Sequence, residues 1–93
     1  MKRAIARRSV SQLARESAFA LSQHIAVVCC GVAVVEMGRS TRWLADQAGI
    51  TKGYLANVRN GRKVLGLDKT IALCMAVGLS LAEMLEAYEE EQS

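Results

Sequence analysis

The fold this sequence predicts is all-helical. Three observations lead there: apolar residues recur at steps of three and four along most of the chain, Ser or Thr stands where helices need a start and Gly where they need an end, and none of the 93 residues is proline. With 52% hydrophobic residues and only one Trp, two Tyr and one Phe, the core must come from Leu, Val, Ala and Ile. The length predicts one domain, with no room for a second one holding a ligand pocket or a protease site.

Taken in order, Ser9 with Gln12 fits a capping box, and Val10, Leu13, Ala14, Ala18, Leu21, Ile25, Val28, Val32 and Val35 follow at helical spacing. That reads as one long helix or two abutting ones. The β-branched stretch from Ile25 to Val35 would also suit a buried strand, but no second strand exists to pair with it. A helix ending near Met37, with Gly38 as its left-handed cap, is the expectation. Ser40 caps the next helix, whose Leu44, Ala45 and Ala48 face inward, and Gly49 ends it at a tight turn plugged by Ile50. Thr51 caps a third helix with Leu55 and Val58 inside and Gly61 just past its end. A fourth helix runs from about Leu67 to Val77 and stops at Gly78. Ser80 with Glu83 forms a further capping box for a last helix carrying Leu81, Met84, Leu85 and Tyr88. The chain holds no internal repeat, low-complexity segment or interdomain linker.

Charge is arranged more tellingly than the net +3 suggests. Residues 1–15 hold Lys2, Arg3, Arg7, Arg8 and Arg15 with no acid, and residues 38–69 hold seven bases against Asp46 and Asp68. The end reverses this with Glu83, Glu86, Glu89, Glu90 and Glu91. Such polarity suits a basic face toward phosphates and an acidic end turned away from them.

Cys29, Cys30 and Cys74 lack Cys-x-x-Cys spacing or a His pair, so neither a metal site nor a cofactor is expected, and they read as small buried hydrophobes in a reducing setting. His24 has no nucleophile or carboxylate in a recognisable arrangement, so no enzyme is expected. Basic residues before an apolar run imitate an export signal, but Arg15, Glu16, Ser17, Ser22, Gln23 and His24 intervene. The run from Ile25 to Val35 is eleven residues, against roughly twenty needed to span a bilayer. An uncleaved cytoplasmic protein without a membrane partner is expected.

The spacing of Leu44, Ala45, Gly49, Thr51, Leu55, Asn60, Gly61, Leu73, Gly78, Ser80, Leu81 and Leu85 resembles the helix-turn-helix domain shared by phage λ repressor, 434 repressor and Cro proteins, the XRE type. The resemblance covers about residues 25–88. It implies a five-helix λ repressor-like DNA-binding domain over residues 25–93, with the helix-turn-helix at about 40–60 and residues 1–24 as a basic N-terminal extension. That extension is an arm tracking DNA, through Arg7 and Arg8, a lengthened helix or a dimer surface.

By position in that family, Lys52, Gly53 and Asn57 fall where base-reading groups sit. Thr51 and Tyr54 fall near the phosphate backbone, and Thr41, Asn60 and Arg62 match backbone-contacting positions. Side-chain chemistry points the same way: Lys52 donates to guanine, Asn57 pairs with adenine, Gly53 permits close approach, and Arg39, Arg42, Arg62 and Lys63 suit phosphates. Two positions depart from the pattern. Trp43 stands where relatives often carry a capping Glu, so it is expected to pack. Arg59 stands where Glu often pairs with a base in the first helix, and Glu36 is the nearest candidate for a reversed pair.

The implied function is a sequence-specific regulator of transcription that binds double-stranded DNA, as a homodimeric repressor of phage or plasmid type on a palindromic operator. Leu85 and Tyr88, or Leu13 and Leu21, are the candidate dimer contacts. The alternative is an antitoxin or adaptor that uses the same domain mainly to bind a protein partner.

Overall fold

The computed structural model describes residues 10–92, with side chains from 15 to 90. Arg7, Arg8 and Ser9, the expected cap, lie outside the described residues, as does the side chain of Leu13. Among the described residues five α-helices follow one another: α1 Val10–Gly31, α2 Thr41–Ala48, α3 Lys52–Arg59, α4 Leu67–Val77 and α5 Leu81–Gln92, with a π-helical turn Val32–Glu36 continuing α1. No strand occurs among the described residues. α1 runs without a break past residue 24.

The one departure in local structure lies at the end of α1. Instead of ending as a plain α-helix, the chain widens so that the Met37 N–H donates to the Val32 carbonyl at 3.0 Å and the Arg39 N–H to Ala33 at 2.8 Å. Gly38, at φ 68°, turns the chain out, as expected. The widened turn changes which side chains face inward: Ala33 is wholly buried, while Val35, assigned to the apolar stripe by its spacing, is 81% exposed. A period of three and four holds only while the hydrogen bonds stay four residues apart.

Small residues let the helices approach. Ala26, Cys29 and Ala33 from the first helix and its π turn join Ile25, Leu44, Ala45, Leu55, Val58, Leu73, Cys74 and Met84 in one buried cluster. α1 packs mainly on α3 and α4, and α2 on α4. All three cysteines are free and buried. Burial first, and then the neighbouring Cys74, pushes the Cys29 thiol up to about 12, and burial also raises Cys30 and Cys74, the state of packed hydrophobes rather than nucleophiles.

The apolar stretch is longer than the eleven residues counted from Ile25. Phe19, Ala20 and Leu21 extend it, and Arg15–Glu36 is long and apolar enough to cross a membrane by length and composition alone, with a mean hydropathy of 2.0. In the fold this stretch instead supplies core side chains, and its polar Ser22 and Gln23 bond to backbone elsewhere in the chain.

Candidate nucleic-acid interface

The helix-turn-helix is built by local chemistry that the sequence carries openly. The Ser40 hydroxyl accepts from the Trp43 N–H at 3.0 Å and the Thr51 hydroxyl from the Tyr54 N–H at 3.0 Å, so each helix starts on a side-chain oxygen. Between them Gly49 takes φ 71°, a left-handed conformation in which a Cβ is strained. The Ile50 N–H then reaches back to the Ala45 carbonyl at 3.0 Å, and the Ile50 side chain packs half-buried against the core. The turn is thus fixed at both ends, and the direction of α3 with it.

On α3, Leu55 and Val58 are buried, Lys52, Gly53 and Arg59 are exposed, and Tyr54 and Asn57 are half-buried. A Cβ built on Gly53 would meet nothing within 4 Å, and Gly53 is not among the glycines with positive φ. Neither packing nor backbone geometry inside the fold requires a glycine there. Around α3, Arg39, Arg42, Asn60, Arg62 and Lys63 are exposed and Thr41 is half-buried.

Two of the assigned backbone-contacting groups have internal tasks. The Thr51 hydroxyl is the cap of α3, and the Tyr54 hydroxyl donates to the Val64 carbonyl at 2.8 Å, tying α3 to the loop that follows it. Trp43 packs as expected, half-buried against the core, and the Arg39 guanidinium lies 5.0 Å from the centre of its ring, within cation–π range. Arg59 meets the first helix at Cys30 rather than at Glu36, and lowers that thiol against the upward push of burial.

The basic loop is held from a direction the sequence did not indicate. Gly61, at φ 79°, lets the chain reverse after α3, and the Arg62 N–H donates to the Asn57 carbonyl at 2.8 Å. From α1, Gln23 Nε2 donates to the Arg59 carbonyl at 3.0 Å, and its amide lies 3.5 Å from where a Cβ of Gly61 would stand. The buried Ser22 hydroxyl accepts from the Leu65 N–H at 3.0 Å. Lys69 is a further group without a sequence signal. Its ammonium lies 3.9 Å from Asp68 and 3.5 Å from the would-be Cβ of Gly49, beside the end of α2. With Asp46, Ile50, Thr51 and Tyr54 it lines an open depression of about 600 Å³.

The assigned dimer residues fall into two settings. Leu21 and Leu85 line one apolar groove of about 330 Å³, together with Ile25, Leu65 and Leu67. Tyr88 is half-buried, its ring edge-on to His24 with centroids 5.4 Å apart. An apolar stripe not singled out by the sequence runs along α4, where Leu67, Ile71 and Met75 stand at four-residue steps and are 68%, 40% and 74% exposed.

No family model and no curated protein matches the chain. Among solved structures, the crystal structure of the clp gene regulator ClgR from Corynebacterium glutamicum matches with a TM-score of 0.60 at 23% identity, over 77% of this chain and 85% of that one. At that identity the likeness is one of fold: this chain shares the helical architecture of ClgR.

Proposed function

We propose that the chain is a sequence-specific, double-stranded-DNA-binding regulator of transcription, acting in the cytoplasm as a homodimeric repressor of phage or plasmid type on a palindromic operator. The observation that carries the reading is α3 itself. It is a helix fixed at its start by Gly49 and Thr51, presenting Lys52 and an otherwise unneeded Gly53, with exposed Arg39, Arg42, Arg62 and Lys63 on the segments either side. A glycine inside a helix costs up to about 1 kcal/mol against alanine, less near its start, and at Gly53 close approach of a base or phosphate offsets whatever cost remains. The fold shared with a gene regulator supports the same reading.

In this reading Lys52 and Asn57 contact base edges and Gly53 admits them. Arg39, Thr41, Arg42, Thr51, Tyr54, Asn60, Arg62 and Lys63 lie along the phosphates, with Arg7 and Arg8 as further arm contacts. Lys52→Ala and Asn57→Ala should each cost about 1–3 kcal/mol on the best site and relax preference at one base position, whereas Arg62→Ala weakens all sequences alike. Competition against single-base operator variants at several salt concentrations measures both effects. Lack of duplex binding at low salt would refute the reading. The protein-binding alternative, an antitoxin or adaptor, is favoured by one observation, the exposed Leu67, Ile71 and Met75 stripe.

A further inference from the structure

The groups that face DNA in the proposed function include the loop between α3 and α4, residues 60–66, and that loop has no core of its own. Asn60, Arg62 and Lys63 are exposed, and only Leu65 is buried within it. A short basic loop in water samples many shapes, and each phosphate contact it makes must overcome the entropy of fixing it. Here α3 holds the loop partway, through the Tyr54 hydroxyl on the Val64 carbonyl and the Arg62 N–H on the Asn57 carbonyl, and side chains of another helix hold its two ends. Gln23 grips the loop where it leaves α3, through the Arg59 carbonyl and against Gly61, and Ser22 grips it where it returns, through the Leu65 N–H. The two grips come from adjacent residues of α1 and bracket Arg62 and Lys63 between them.

We infer that Ser22 and Gln23 are positioning residues for DNA binding: from α1 they hold the 60–66 loop in the one shape in which Arg62 and Lys63 meet phosphates together. The inference rests on the DNA-binding reading. One N–H of the Gln23 amide is taken by the Arg59 carbonyl, which couples this side chain to the loop. Its site lies outside the helix-turn-helix. Ser22 is buried and its hydroxyl satisfies a buried amide, so Ser22→Ala combines loss of positioning with loss of stability. Gln23 is exposed, which makes Gln23→Met, equal in length but without the donor, the cleaner probe.

The experiment compares wild type, Gln23→Met, Ser22→Ala, Arg62→Ala with Lys63→Ala, and that pair combined with Gln23→Met, each titrated with a cognate duplex over a range of salt. The expected result for Gln23→Met is binding about 5- to 20-fold weaker, with the log–log salt slope smaller by roughly 0.9 for each phosphate no longer engaged and base preference unchanged. In the background lacking Arg62 and Lys63, the same substitution has no further effect, because there are no charges left to position. Faster exchange of the Leu65 amide proton in Ser22→Ala, with the far-UV spectrum retained, reports the loosened loop in the free protein. A Gln23→Met protein that matches wild type in affinity and slope overturns the inference while leaving the DNA reading intact. So does a weakening that persists undiminished without Arg62 and Lys63. A wild type that binds no duplex at all overturns both.

Discussion

Cys29 shows how a side chain's surroundings set its chemistry. It is wholly buried with Cys74 beside it, and its thiol is pushed up to about 12 from an ordinary 9.0. The unfolded chain therefore releases this proton first as pH rises, so the contribution of Cys29 to stability is complete below about pH 9 and is lost as pH climbs toward about 12. Cys30 and Cys74 shift the same way. Urea unfolding under reducing conditions should show stability falling above about pH 9, by at most about 1.4 kcal/mol per pH unit for each such thiol. Cys29→Ala should begin less stable at neutral pH yet fall less steeply, and an unchanged alkaline slope would remove Cys29 as its source. At this scale the sequence was readable wherever partners are near neighbours: Ser40 with Trp43, Thr51 with Tyr54 and Ser80 with Glu83 all pair three residues apart. Gln23 with Arg59 and Ser22 with Leu65 are 36 and 43 residues apart, and no local pattern announces them.

The starts of α2, α3 and α5 and the ends of α2, α3 and α4 follow from punctuation residues that act within one turn, which is why they could be placed from sequence. The end of α1 differs because its hydrogen-bond register is decided by tertiary packing. Burying Ala33 while letting Arg39 reach the Ala33 carbonyl requires one residue more than an α turn supplies. The extra residue is accommodated on the solvent side, at Val35. Deleting Val35 should let the turn close as ordinary α-helix, with the far-UV spectrum retained and stability changed by about 1 kcal/mol or less. Deleting Gln47, which is also exposed, should cost roughly 3 kcal/mol or more, since α2 has no slack and Gly49 would leave its left-handed position. Thermal unfolding of both deletions decides whether the π turn is a removable insertion.

Across the whole molecule, the first helix sets the length. The described fold measures 45 by 24 by 19 Å, and its 14.1 Å radius of gyration exceeds the roughly 12 Å of a compact chain this size. α1 alone is about 33 Å long at 1.5 Å per residue. If two copies assemble on a palindrome, the apolar surface available to them is the groove shared by Leu21, Leu67 and Leu85 and the adjoining α4 stripe. Light scattering should show a dimer at tens of micromolar that Leu67→Asp with Leu85→Asp converts to monomer without loss of helicity. Loss of the dimer in Leu13→Asp with Leu21→Asp instead would move the interface to α1, and a wild type monomeric both free and on its operator would exclude it. The helical bundle was legible in the sequence; the α4 stripe was not, because exposure depends on which neighbours cover a helix. The double grip of α1 on the basic loop also bears on how such a protein could be recombined. Transplanting residues 40–60 alone into a related chain would carry α3 but leave behind what shapes the loop after it. On the proposed reading, base preference would travel with α3, but full affinity would travel only with the whole stretch from Ser22 to Leu65, because the middle of the first helix shapes the loop that holds Arg62 and Lys63.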